Sequence, residues 1–306
     1  MRILHLIPVG LSLLDKIERG ALPRLRSALA VDELPGSADT VRDALAQSTG
    51  QRYELDLDRL GLTEVPRTAS ALDSSMAAEW TSVAAVRGEA RYANVDGEAC
   101  VFIATDNDLG LRAAVLVAAH YHHTIYYLHE PLTVGRLAIR PGDVFVCRIP
   151  DLNLGDDAPT HATWRSLGAV GWQVAEVVTQ TPGGEWAVVV HLSGGYKAMI
   201  PYVMILAEGI HSRMRVEQQM RAVAIHDPEI GTNPTRKHVV VDVPVRRIEG
   251  DLLIAAEKLK KLERLIPPDS NIVGAGAPKD LLGLFIERAG SAYRVTDPGL
   301  IVVNVL

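Results

Sequence analysis

The sequence predicts an α/β protein with a Rossmann-like, mostly parallel sheet that helices cover on both faces. The first observation is that short, nearly all-apolar runs alternate with longer helix-like segments along the chain. Strands that are apolar throughout are typical of parallel sheets, because both faces of such a sheet are buried. The second observation is that glycine and polar residues follow three of these runs directly. In open α/β sheets, the functional loops lie where strands end and helices begin.

The apolar runs and the amphipathic segments set the predicted order of elements. The predicted strands lie at Ile3–Val9, Ala99–Ala104, Thr124–Leu128, Val144–Ile149, Trp186–Leu192, Ala222–His226 and His238–Val243. The predicted helices begin near residues 13 and 111 and cover residues 39–47, 71–87, 160–178 and 197–220.

Composition limits the classes of function. The 306 residues are 48% apolar and 22% charged, which is ordinary for a globular protein with room for a large core. A net charge of −6 argues against non-specific binding to duplex DNA or to anionic membranes, although it permits a local anion pocket. Cys100 and Cys147 show no CxxC spacing, so neither a disulfide framework nor a zinc site is indicated. Without 18 consecutive apolar residues, we expect a cytoplasmic protein that is not in a membrane.

The residue pattern of the sequence changes near residues 248–250, where we predict a domain boundary. Residues 1–248 would form the Rossmann-like domain. Residues 249–306 would form a small α+β domain that serves for dimerisation, acts as a lid or resembles a winged helix. Within the second segment, we predict a basic amphipathic helix in LLIAAEKLKKLERLI and a second short helix at residues 279–288. The final residues, AYRVTDPGLIVVNVL, are predicted to be extended.

Three predicted strand-to-helix junctions carry unusual residues. In VGLSLLDK (9–16), Gly10 allows close backbone approach and Ser12 offers a hydroxyl beside free helix N–H groups. In TDNDLG (105–110), the polar side chains would cap the next helix or contact a ribose or a base edge. In the third junction, SGGYK (193–197), the glycines let backbone N–H groups face a phosphate, Tyr196 offers a stacking ring and Lys197 a positive charge.

Together these junctions predict a pocket for a ligand that contains phosphate and ribose. We expect the protein to use no metal and no cofactor. Each junction also has a plain structural explanation, because Ser-Gly-Gly is a common turn and Ser, Asp and Asn commonly cap helices. None of them matches GxGxxG or GxxxxGK[ST], so neither a dinucleotide nor a nucleoside triphosphate is specifically indicated.

The segments VGLSLL, Ala77–Trp80, IATDNDLG and above all HLSGGYKAMIPY resemble the CARF family, the CRISPR-associated Rossmann fold. The resemblance covers roughly residues 1–245 and is closest to the small ring-nuclease-like CARF proteins of type III CRISPR systems. The family commonly has Ser-Asp-Thr-x-x-Gly where this chain has TDNDLG. The ligand-binding residues that the resemblance and the junctions indicate are Gly10, Leu11, Thr105, Asp106, Asn107, Gly110, Ser193, Gly194, Gly195 and Tyr196.

The resemblance implies a homodimer that binds cyclic oligoadenylate, usually cyclic tetra-adenylate, with cyclic hexa-adenylate as the rival ligand. A ring nuclease cleaves this antiviral messenger without a metal and so ends the signal. A ribose 2′-OH attacks the adjacent phosphorus, leaving 2′,3′-cyclic phosphate ends. Lys197 would stabilise the phosphorane and Ser12 would position the reacting group. The alternatives are a sensor that does not cleave and a transcription factor that binds DNA through a winged helix.

Two further patterns carry little weight. An RxxxxH pattern, typical of HEPN ribonucleases, runs from Arg221 to His226, but these residues lie on a predicted strand, whereas that site requires a helix. The run HYHH at residues 120–123 has no acidic partners at ligand spacing and is better explained as the polar end of a helix.

Overall fold

The computed structural model describes residues 2–10, 53–54, 77–88, 97–121, 124–128, 131, 137–152, 159–180, 186–195, 197–226, 239–248, 250–267 and 270–306. Within these ranges, seven strands form one twisted sheet, to which a two-residue strand adds an eighth at one edge. The helices predicted to begin near residue 13 and to cover residues 39–47 lie outside the described residues.

The strands and helices alternate along the chain. The strands of the large sheet are β1 (Arg2–Pro8), β2 (Tyr53–Glu54), β3 (Glu98–Ala104), β4 (Tyr126–Leu128), β5 (Val144–Arg148), β6 (Trp186–His191), β7 (Met220–His226) and β8 (Val239–Val243). The α-helices are α1 (Ala78–Arg87), α2 (Asp108–Ala119), α3 (His161–Gln180), α4 (Ile200–Arg213), α5 (Gly250–Glu263) and α6 (Asp297–Val305). A separate hairpin joins β9 (Ile286–Ala289) to β10 (Ala292–Val295).

The strand order is β2-β4-β5-β3-β1-β6-β7-β8. Every pairing between β4 and β7 is parallel, and only the two outermost strands, β2 and β8, pair antiparallel to their neighbours. This arrangement confirms the predicted α/β fold with a mostly parallel sheet. The chain leaves β1 toward β3 and later returns to the other side of β1 with β6. The ends of β1 and β6 therefore form the topological switch point, where such folds have a ligand crevice.

Side chains that alternate along the strands bury both faces of the sheet. On one face, Leu4 and Leu6 of β1 join the core formed with α3, α4, α5 and α6. On the other face, α1 packs over the sheet and against α2, where the Trp80 indole donates to the Val117 carbonyl. This division explains why β1 is apolar at nearly every position and shows no amphipathic alternation.

The C-terminal helix α6 completes the helical layer on the first face. Gly168 and Gly171 of α3 lie so close to α6 that a Cβ on Gly168 would come within 2.5 Å of the Ile301 carbonyl oxygen. Gly209 of α4 contacts Val305 in the same way. Buried side chains of the segment beyond the predicted boundary near residues 248–250 thus belong to the same core as those of α3 and α4.

Three local predictions in the C-terminal half are confirmed only in part or are wrong. The helix predicted over residues 197–220 begins with a 3₁₀ turn and ends at Arg213, because Gln218 turns the chain by accepting from the Arg215 N–H and donating to the Val178 carbonyl. Residues 279–288 form a short 3₁₀ turn and β9, not a helix. The final residues form α6, which begins where the Thr296 hydroxyl caps the Gly299 N–H at 3.1 Å.

These differences remove the helix, but not the hairpin, of the pattern that suggested a winged helix. The segment predicted to be its last helix is a turn and a strand, and the apolar α6 is buried against α3 and α4. The predicted basic helix is confirmed as α5. In the described part of the chain, no helix has both the length and the apolar character to span a membrane.

Candidate functional site

The ends of β1 and β6 meet at the switch point. A Cβ placed on Gly10 would lie 3.1 Å from the Gly195 carbonyl oxygen, so the two backbones are in contact. The β3 junction lies on the other side of β1, where the Val9 N–H donates to the Ile103 carbonyl. The structure therefore brings together the strand ends that carry all three predicted junctions, on the three adjacent strands β3, β1 and β6.

The two glycines after β6 are required by close packing. Gly195 has a φ of +83°, in the left-handed region that favours glycine. A Cβ on Gly195 would lie 2.7 Å from Cβ of Pro8, and one on Gly194 would lie 2.7 Å from the Pro8 carbonyl oxygen. The space that glycine leaves is therefore filled by the end of β1, which gives these residues a structural role in addition to any contact with a ligand.

The buried carboxylate of Glu79 joins the two strand ends. Its Oε1 atom accepts from the Gly10 N–H at 2.9 Å and from the Gly195 N–H at 3.3 Å, and the residue is 1% exposed. The Gly195 N–H, which the sequence analysis directed at a phosphate, is therefore donated to this side chain. Sequence reasoning missed Glu79 as a site residue, although an acid in the first turn of a largely apolar helix was a visible signal.

The residues around the glycine turn have different environments. Lys197 is exposed and opens the 3₁₀ turn that leads into α4. The Ser193 hydroxyl accepts from the Ile225 N–H at 2.5 Å, which ties the turn to β7. Three predicted site residues lie outside the part that the structure describes: Leu11, Ser12 and Tyr196.

The polar residues after β3 are used by the fold. Asp106 accepts two hydrogen bonds from Arg148, at 2.5 and 2.8 Å, and a third from the Asp151 N–H at 2.8 Å. Asn107 caps α2 by accepting from the Gly110 N–H at 2.7 Å. Thr105 is 3% exposed, and its side chain packs against Gly110. The helix-capping explanation therefore accounts for Asn107, and an ion pair accounts for Asp106.

A buried chain of hydrogen bonds crosses the same part of the sheet. Ser82 Oγ lies 2.6 Å from His191 Nδ1, His191 Nε2 lies 2.9 Å from His5 Nδ1, and His5 Nε2 lies 3.1 Å from Glu98 Oε2. Ser82 and both histidines are completely buried. This network of hydrogen bonds therefore links α1 to three strands, and its serine and two histidines offer no surface to a substrate.

The ionisation of Glu98 sets the direction of one hydrogen bond in this buried network. Burial and the neighbouring His5 hold the pKa of His191 well below its ordinary value. Burial alone would raise the pKa of Glu98, but the hydrogen bond to His5 and the attraction of His5 and Arg87 lower it. An ionised Glu98 can only accept, so His5 Nε2–H is the donor in the hydrogen bond between His5 and Glu98.

The described residues of the remaining sequence patterns show no second site, and His122 and His123 of the HYHH run lie outside them. Arg221 and His226 lie on β7, as predicted, and Arg221 pairs with Asp242 of β8. His120 is buried and stacks on Trp80, with ring centroids 4.1 Å apart. Among the residues that the structure describes, no three His, Cys, Asp or Glu side chains are grouped to hold a metal ion.

Neither a protein-family model nor a curated protein sequence matches the chain. The fold and this site define a Rossmann-like α/β protein whose switch point joins two glycine-containing strand ends beside an exposed lysine.

Proposed function

We propose that the chain is a ring nuclease that binds cyclic oligoadenylate, as cyclic tetra-adenylate, at the switch point and cleaves it to end type III CRISPR signalling. The observation that carries this proposal is the exposed Lys197, two residues after a glycine turn that contacts the end of β1. The segments that resemble the CARF family fall at these same strand ends and on α1. A crevice at a switch point is where α/β proteins of many activities bind phosphate-bearing ligands.

The proposed reaction needs in-line geometry more than a reactive side chain. The ribose 2′-oxygen bonds to the adjacent phosphorus, the bond from phosphorus to the 5′-oxygen breaks, and the 5′-oxygen leaves with a proton. The proton lost by the 2′-hydroxyl balances the one that the 5′-oxygen gains, so no water is consumed. Holding the attacking oxygen in line with the leaving oxygen supplies a large part of the rate enhancement.

Lys197 supplies the charge that this reaction requires. Negative charge grows on the nonbridging oxygens as the phosphorane forms, and an ammonium group held beside them stabilises that state more than the ground state. The exposed position of Lys197 at the start of the turn before α4 leaves its ammonium group accessible to such a ligand. Ser12 remains the predicted positioning residue for the reacting ribose or phosphate.

A two-fold dimer suits the proposed ligand. A ring of four identical nucleotides has internal symmetry, so two copies of the same loops meet equivalent halves of the ring. We therefore propose a homodimer in which the strand ends of both protomers face one ring. DNA binding through the C-terminal segment has less support, because the hairpin β9–β10 is present but the helix predicted before it is a 3₁₀ turn and the strand β9.

Incubation of the purified protein with radiolabelled cyclic tetra-adenylate and hexa-adenylate in EDTA tests this proposal. Both binding and products are followed. The expected result is linear di-adenylate with 2′,3′-cyclic phosphate ends within minutes to hours. Tight binding without products would reduce the function to sensing. Binding of neither ring would contradict the proposal entirely.

A further inference from the structure

The buried Glu79 side chain connects the two strand ends of the site. Its Oε1 atom accepts from one backbone N–H on each side of the switch point, those of Gly10 and Gly195, which are 69 and 116 residues away along the chain. A Cβ on Gly194 would lie 2.8 Å from Glu79 Cγ, so the stem of the side chain also packs under the turn. The carboxylate is thus a bridge between the end of β1 and the turn that precedes Lys197.

The bridge is rigid because α1 is fixed to the rest of the fold. Trp80, the next residue, donates to the Val117 carbonyl of α2, and Ser82 is hydrogen-bonded to His191 of β6. Loss of a hydrogen bond inside a protein leaves its donor unsatisfied, which costs stability. The position of the Gly195 backbone is therefore set by a helix that is itself anchored at two further points.

We propose that Glu79 is a positioning residue that holds the glycine turn, and through it Lys197, in the geometry that cleaves the ring. The inference rests on the proposed function. Glu79 acts through the backbone of Gly195 and, because it is buried, does not touch the ligand. Displacement of a charged group by about 1 Å is enough to cost a reaction on the order of 10²-fold in rate.

Two conservative substitutions separate the reach of the side chain from its acid group. Glu79→Gln keeps an oxygen at the position of Oε1 and replaces the acid with an amide. Glu79→Asp keeps the acid but retracts its oxygens by about 1.5 Å, the length of one carbon–carbon bond. Thr81→Val is the matched control, because it removes a buried side-chain hydrogen bond to the Ala77 carbonyl at the start of the same helix and is not one of the two anchors of α1.

The experiment combines amide exchange with kinetics on each folded variant at a temperature well below its unfolding transition. Hydrogen exchange at Gly10 and Gly195 reports on the bridge, while kcat and KM for cyclic tetra-adenylate report on the reaction. For Glu79→Asp we expect exchange at both amides to rise about tenfold or more and kcat to fall about tenfold or more. For Glu79→Gln we expect kcat within about threefold of wild type and an unchanged pH profile. Thr81→Val should leave both quantities near wild type.

Several results would overturn the inference. If Glu79→Asp retains kcat and Glu79→Gln loses it, the acid group acts directly and the positioning role is wrong. If Thr81→Val lowers kcat as much as Glu79→Asp, the effect belongs to the general stability of α1. If the wild-type protein neither binds nor cleaves the ring, the proposed function fails together with the role of Glu79 in it. In that case exchange at Gly10 and Gly195 still decides whether Glu79 anchors the two strand ends.

Discussion

The loops after β3 and β6 lie on either side of β1, and both carry polar residues of the kinds that bind nucleotides. After β3, Asp106 is neutralised by Arg148 and Asn107 is used as a helix cap. After β6, the Ser193 hydroxyl accepts from the Ile225 N–H, Glu79 accepts from the Gly195 N–H, and the charged side chain that follows, Lys197, is exposed. Similar residue types therefore stabilise the fold in one loop and leave a cation available to a ligand in the other.

This contrast shows that partners distant in sequence decide whether a polar loop residue is available for function. Arg148 and Glu79 come from other elements, and each determines the role of one loop. Arg148 and Asp106 form an ion pair in which the side chains are only 9% and 8% exposed. This pair holds the loop after β3 in place. We expect loss of the Asp106–Arg148 pair to lower stability, and loss of the Lys197 side chain to lower activity at unchanged stability.

The largest expected effect on stability comes from Asp106→Ala. Removal of the carboxylate breaks the buried ion pair with Arg148, which costs about 3–5 kcal/mol of unfolding free energy. Urea denaturation measures this loss. Asp242→Ala is the control, because its pair with Arg221 is exposed and contributes less than about 1 kcal/mol. Folded Asp106→Ala protein that has lost ring affinity would contradict the assignment of this loop to the fold.

A smaller loss is expected from Gly195→Ala. The left-handed backbone conformation alone costs about 1–3 kcal/mol for a residue with a Cβ, and the contact with Pro8 adds to it. Gly276→Ala is the matched control, since a Cβ there meets nothing within 4 Å. Thermal and urea unfolding of the two variants give the comparison. Equal stabilities would mean that the turn does not have the geometry described.

The smallest effect is a dependence of stability on pH. Because the folded state lowers the pKa of His191, the unfolded state binds this proton first as the pH falls. His191 therefore contributes full stability above about pH 6.5, and its contribution falls at lower pH by at most about 1.4 kcal/mol per pH unit. The unfolding free energy of His191→Gln, measured in urea between pH 7 and 5.5, should fall less steeply than that of wild type. Identical slopes would contradict a neutral, buried His191.

The strands could be predicted from sequence because their signal is local. The runs that became β1, β3 and β6 are apolar at nearly every position, and all three are parallel strands at the centre of the sheet. Helix ends were harder, because α4 stops at Arg213 through contacts of Gln218 with α3. The last helix was missed because its apolar residues read equally well as a strand, although Thr296 and Pro298 mark its beginning.

The candidate site could be predicted only in part. Ser-Gly-Gly-Tyr-Lys marked the position of the glycine turn and Lys197, and the parallel sheet brought the turn to Gly10. Glu79 could not be assigned, because its hydrogen bonds reach residues 69 and 116 positions away. The pairing of Asp106 with Arg148, 42 residues apart, was hidden for the same reason. Chemistry that depends on such distant pairs becomes visible only once the fold is known.

The central claim is that Lys197 acts on a ring-shaped phosphodiester, and single-turnover cleavage of cyclic tetra-adenylate by Lys197→Ala tests it most directly. Lys279→Ala is the matched control, because Lys279 is also exposed and also opens a 3₁₀ turn. The account predicts that Lys197→Ala cleaves on the order of 10²-fold more slowly with unchanged stability, while Lys279→Ala matches wild type. Cleavage by Lys197→Ala at the wild-type rate would contradict it.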